Sequence, residues 1–254
     1  MKNLINRRLF FVLLIACVIA SMLVIPYSLA LTSNGVEITA IILLLTVAQN
    51  LVLFAAAVFF GLLLSKRIGM GLPILQNVME GKNQTKELKS MVPPSVCWGV
   101  LAGVLIALLA IPFNELIPEL QFFETSVPAW KTFLASFYGG IAEEVLLRLF
   151  LVSLLVWITS KIKKAKGGFP TDAGVWVSII LAAVIFGLGH LPATAQITAL
   201  TGAVVIRAIV LNGVGGIIFG RLYWKRGLES AMTAHFSADI VIHIITPWIA
   251  SFFL

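Results

Sequence analysis

Long apolar runs alternate with short polar segments along the whole chain. The runs cover residues 9–31, 38–64, 95–113, 132–159, 173–190, 197–220 and 230–253. A membrane-spanning helix needs about 20 predominantly apolar residues. The pattern therefore predicts an all-α, polytopic transmembrane bundle of seven spans, or eight if 197–220 is a broken, partly re-entrant pair. That run contains Arg207 and the glycine-rich Gly213-Val214-Gly215-Gly216. The stretch 132–159 exceeds what one crossing needs, and Gly139-Gly140 is the expected break, with a helix starting near Gly140 and Glu143 in its first turn. The third run is expected to begin only after Pro93-Pro94.

The polar segments give the runs an orientation. Of the 18 Lys and Arg, 15 fall in four patches: Lys2, Arg7 and Arg8; Lys66, Arg67, Lys82, Lys86 and Lys89; Lys161, Lys163, Lys164 and Lys166; and Arg221, Lys225 and Arg226. The 114–130 loop carries Glu115, Glu119 and Glu124 and no basic residue. Basic loops stay in the cytoplasm, so the N-terminus is expected inside and the C-terminus outside, with the short loop 32–37 outside. Arg7 and Arg8 ahead of an apolar run resemble a secretory signal, and Leu14-Ile15-Ala16-Cys17 resembles a lipoprotein box. The run continues to residue 31, which favours a retained first helix.

Composition narrows the class further. The chain is 60% hydrophobic and 11% charged, with a mean hydropathy of +1.05, more apolar than a soluble domain. The net charge of +7 follows from the loop pattern and implies a lipid bilayer as partner, not nucleic acid. No repeat or second domain is evident: 1–254 reads as a single membrane-embedded domain. Cys17 and Cys97 have no disulfide or metal spacing and read as small core residues.

Three runs carry groups that are expensive in hydrocarbon and are therefore functional candidates. Glu144 and Arg148 stand at i and i+4 with the acid first, the favoured order for an intrahelical pair. Glu143 lies about 100° around the same helix, with no local partner, and suits a general base. His190 follows Phe186 by one turn. His235 and Asp239 are also at i and i+4, and His243 lies one turn further. A carboxylate beside a histidine can orient its ring, and the same spacing also occurs in metal-ligand pairs. Converging in one cavity, a glutamate, two histidines and an aspartate can activate water and hold an oxyanion.

In order and spacing, Glu143-Glu144-x-x-x-Arg148, Phe186-x-x-x-His190 and His235-x-x-x-Asp239 resemble the three motifs of the CAAX protease and bacteriocin-processing family of intramembrane glutamic endopeptidases, related to type II CAAX prenyl proteases. The stretch 222–227 also resembles that family's approach to its last motif. The resemblance covers 132–253, the catalytic half, after the N-terminal spans of 1–131. It implies hydrolysis of a peptide bond in a membrane-bound peptide or protein. Glu143 and His190 would activate water, His235 and Asp239 would stabilise the oxyanion, and Glu144 and Arg148 would hold the helix and tune the site. Asp239 stands where some members carry Asn, and it cannot donate unless protonated, so donation would fall mainly to His235, or Asp239 would orient that ring. No cofactor or resident metal is assigned. A multi-pass protein of a bacterial cytoplasmic membrane is expected.

Two alternatives remain at this level: a proton-coupled transporter using a carboxylate–histidine relay, and a noncatalytic interaction or immunity protein on the same scaffold. One geometric conflict also stands. At 1.5 Å per residue, Glu143 and His190 lie about 27 Å from the cytoplasmic ends of their helices and His235 only about 9 Å. On a simple seven-span layout they do not meet. Either 191–228 is broken, with Gly213–Gly216 the expected place, or tilted and short helices surround a deep cavity.

Overall fold

The computed structural model describes residues 5–31, 39–165 and 167–252, and these are almost wholly helical. Among them, the one pairing of strand type is an isolated bridge between Lys164 and Pro170. The predicted loop 32–37, Lys2, Lys166 and the last residue of the 230–253 run lie outside the described residues.

The chain forms α1 (Arg7–Leu23), α2 (Ile25–Leu31), α3 (Ala40–Ile68), α4 (Pro73–Met79), α5 (Thr85–Asn114), α6 (Pro118–Ser126) and α7 (Ala129–Phe137). From α7 the helical path continues without a break through two π-helical stretches, Tyr138–Glu143 and Val145–Val152, into α8 (Ser153–Ile162). Then follow α9 (Asp172–Gly189), α10 (Leu191–Thr194), α11 (Gly202–Arg226) and α12 (Leu228–Ile240). A third π-helical stretch, Val241–Ile245, leads to α13 (Thr246–Ala250). Four helices, α3, α5, α9 with α10, and α11, are long and apolar enough to cross a membrane. The α1–α2 pair, bent by 41°, adds a fifth if it is one span.

Local chemistry explains the starts. The side chains of Asn6, Thr39, Thr171 and Thr201 accept hydrogen bonds from first-turn amides of α1, α3, α9 and α11. These amides have no partner inside the helix. The structure differs from the sequence reading at three breaks. Pro93 and Pro94 do not delay α5, which begins at Thr85. Their missing amides deprive only the carbonyls of Lys89 and Ser90, both at exposed positions. Gly213–Gly216 does not break α11: Gly216 is an interface position, where a Cβ would lie 2.5 Å from the Cβ of Ala183 on α9, while a Cβ on Gly213 would meet open space. Gly139-Gly140 does not start a helix, since the wider π turns carry the chain through both. Cys17 is buried in the main core, whereas Cys97 is exposed. On α5, Ser95 and Gly99 face the core, and position 97 points to the other side.

One continuous core joins residues from Leu9 to Ala238. At the opposite end from the basic segments, Ile117, Leu120 and Val204 form a second small cluster with Phe113, Leu191 and Ile197 packed on it.

Helix register removes more than half of the depth conflict. The hydroxyls of Ser95 and Ser230 are 2.7 Å apart, so the first turn of α12 lies level with a point ten residues, about 15 Å, into α5. The Tyr223 and Ser153 hydroxyls are likewise 2.7 Å apart, nine residues before the end of α8. The α11–α12 corner is thus recessed roughly 10 Å inside the basic ends. His235 is shorter of residues than of depth. Measuring every helix from one common plane accounts for about 10 Å of the apparent mismatch of about 18 Å.

Candidate functional site: a carboxylate and histidine cavity

The site is built outward from a fully buried pair. Arg148 Nη1 lies 2.9 Å from Glu144 Oε1, with both side chains at most 1% exposed. The guanidinium stacks between the rings of Phe186 (5.1 Å) and Phe219 (5.4 Å), which gives the buried cation an aromatic cage. Glu144 Oε1 also accepts a hydrogen bond from His235 Nδ1 at 2.7 Å. Phe219 stacks on the His235 imidazole at 4.7 Å, with the planes only 23° apart. An acid from one helix and an aromatic from another therefore fix the ring in position and rotation. The sequence suggests Asp239 as the orienting carboxylate. In the structure Glu144, 91 residues away in the chain, makes the short hydrogen bond, while Asp239 Oδ1 lies 3.6 Å from the other ring nitrogen.

That second nitrogen, His235 Nε2, faces outward toward the remaining carboxylates. Glu143 Oε2 lies 3.8 Å from it. Gly139 makes this approach possible: a Cβ there would collide with Asp239 Oδ2 and stand 3.2 Å from His235 Nε2. Consecutive residues on one helix thus face different ways, with Glu144 turned into the core and Glu143 turned toward a cavity.

The cavity has a volume of about 400 Å³ and is lined by Glu143, His190, His235, Asp239 and His243. His190 caps the end of α9, and its Nδ1–H donates to the Phe186 carbonyl at 2.9 Å. In the neutral ring this leaves Nε2 as the lone-pair nitrogen. His190 and His235 flank the Phe186 ring, at 4.7 and 6.0 Å. Toward the outer end the cavity is lined by Tyr27, Asn212 and an ion pair between Arg207 Nη2 and Glu124 Oε1, 2.8 Å apart.

The three sequence motifs thus reach one place. Glu143, His190, His235 and Asp239 line the cavity, while Glu144 and Arg148 support it from behind. Among the described residues, no group of three His, Cys, Asp or Glu side chains is arranged to hold a metal ion. Sequence reasoning missed Phe219, the Glu144–His235 bond and the Glu124–Arg207 pair. Arg207 was visible as a charge within an apolar run, but nothing local marked its partner.

Residues 125–241 match the family model of type II CAAX prenyl endopeptidase Rce1-like proteins, so this segment of the chain is similar to that family. Comparison with curated proteins and with solved structures found no match.

Proposed function

We propose that the protein is an intramembrane endopeptidase that hydrolyses a peptide bond of a membrane-associated protein or peptide. The observation that carries this reading is His235, locked by Glu144 and Phe219, presenting Nε2 3.8 Å from Glu143 in a cavity that His190 also lines. The family match agrees with it.

In this mechanism the Glu143 carboxylate takes a proton from a water that the His190 Nε2 lone pair helps to orient. The hydroxide adds to the peptide carbonyl carbon, and the carbonyl oxygen becomes the oxyanion. His235 Nε2 donates to that oxyanion when the ring carries both protons, since Nδ1–H is already committed to Glu144. Asp239 donates when protonated and otherwise balances the imidazolium. The intermediate collapses as Glu143 returns its proton to the leaving amine, which gives a free carboxylate and a free amine. Glu144 and Arg148 touch no reacting atom and hold His235 in place.

We read the chain as one membrane-embedded domain with seven spans: the α1–α2 pair, α3, α5, the continuous helix 129–162, α9, α11 and the helix 228–250. Its short loops and basic ends suit a bacterial cytoplasmic membrane. The test is cleavage of a membrane peptide by the purified protein in proteoliposomes. Glu143→Gln and His190→Ala should each abolish cleavage while leaving the protein folded; cleavage retained in both overturns the proposal. A chelator arm in the same assay separates glutamate chemistry from metal chemistry.

A further inference from the structure

His235 reaches Glu144 because α12 starts inside the bundle, yet Gly227 is the single residue between α11 and α12. Something other than a loop must hold that corner at depth. Three contacts with the 71–75 segment do so. The Leu228 N–H donates to the Gly71 carbonyl at 2.9 Å. The Leu75 N–H donates to Glu229 Oε1 at 2.8 Å. Gly227 adopts φ +98°, and a Cβ there would lie 2.5 Å from Pro73 Cδ, so the corner and the segment touch backbone to ring.

Glu229 is the unexpected member. Its Oε2 is buried and has no hydrogen-bond partner among the described residues. What the side chain does supply is a long-range tie, spanning 154 positions, between the first turn of α12 and the connection from α3 to α5. His235 lies six residues, about 9 Å, further along the same helix.

We infer that Glu229 is a positioning residue that sets the depth of α12 and so holds His235 level with Glu143 and Glu144. The catalytic consequence rests on the hydrolase reading above; the depth itself does not. A misplacement of about 1 Å at a reacting group can cost about 10²-fold in rate, so a loosened corner should affect turnover before substrate binding.

The experiment pairs two readouts in membranes containing the full chain. Ser95→Cys and Ser230→Cys, whose parent hydroxyls are 2.7 Å apart, report helix register through oxidative cross-linking, with Cys17→Ala and Cys97→Ala as background. Cleavage kinetics are measured on the chain without the reporter cysteines. Glu229→Ala should lower cross-linking yield and reduce kcat about 10- to 100-fold at unchanged KM, and Glu229→Gln should restore both. Unchanged cross-linking in Glu229→Ala, an unchanged kcat, or a Gln variant as impaired as Ala overturns the inference. If Glu229→Ala does not accumulate, Glu229→Asp, whose carboxylate falls one methylene short, is judged by the same criteria. If the wild-type chain itself cleaves nothing, the hydrolase reading fails and the cross-linking yields alone decide the depth claim.

Discussion

Two arginine–carboxylate pairs, one behind the cavity wall and one lining its outer end, have almost the same separation, 2.9 Å for Arg148–Glu144 and 2.8 Å for Arg207–Glu124. Their surroundings differ completely. The inner pair is at most 1% exposed, caged by Phe186 and Phe219, and shares its carboxylate with His235. The outer pair is 15% and 35% exposed and joins the short helix α6 to α11. Distance therefore says little about what an ion pair does. Burial and a third partner convert the inner pair into the fixed wall of a site, and the outer one remains a contact at its edge.

The comparison breaks if the two pairs respond alike to truncation. Arg148→Ala removes the cation beside Glu144 in the core and leaves that acid only its hydrogen bond from His235, so it should destabilise the protein by about 3–5 kcal/mol, read as thermal unfolding in detergent. A loss below about 1 kcal/mol would place the inner pair with the outer one. Gly139→Ala probes the space the pair creates, because its Cβ meets Asp239 and crowds His235. Overpacking there should cost about 1–3 kcal/mol and reduce cleavage at least tenfold, whereas normal cleavage would mean that the wall is soft. Tyr223→Phe removes a buried neutral hydrogen bond to Ser153 and calibrates the scale at about 0.5–1.5 kcal/mol. Smallest of all, Glu124→Ala should cost about 0–1 kcal/mol, and that cost should shrink as salt is raised; a salt-independent loss as large as that of Arg148→Ala would erase the distinction.

The contrast also shows how far local sequence reaches. The Glu144–Arg148 pair could be read directly, because i and i+4 on a helix are neighbours whatever the rest of the chain does. The helical class was equally visible in the length of the apolar runs. Three kinds of feature were hidden. The Glu144–His235 bond and the Phe219 stack depend on how separate helices rotate against one another, which no local pattern encodes. Breaks were overread at Pro93-Pro94 and Gly213–Gly216, since exposed carbonyls tolerate a missing amide and a glycine packed against a neighbouring helix, as Gly216 is, need not bend its own. Depth was misjudged because residue counts assume that all helices begin at one plane. Gly227, alone between a basic helix end and the next helix, carried a hint of the recessed corner, but its meaning needed Pro73 and Leu75 beside it.

The central claim is that Glu143, the acid turned away from the buried pair, is the group that activates water. Its direct measurement is single-turnover cleavage of a membrane peptide in proteoliposomes by wild-type protein and Glu143→Gln, with thermal unfolding measured on both. A loss of at least about 10²-fold in rate, with the unfolding temperature preserved, is the predicted result. A Gln variant that cleaves at the wild-type rate would contradict it.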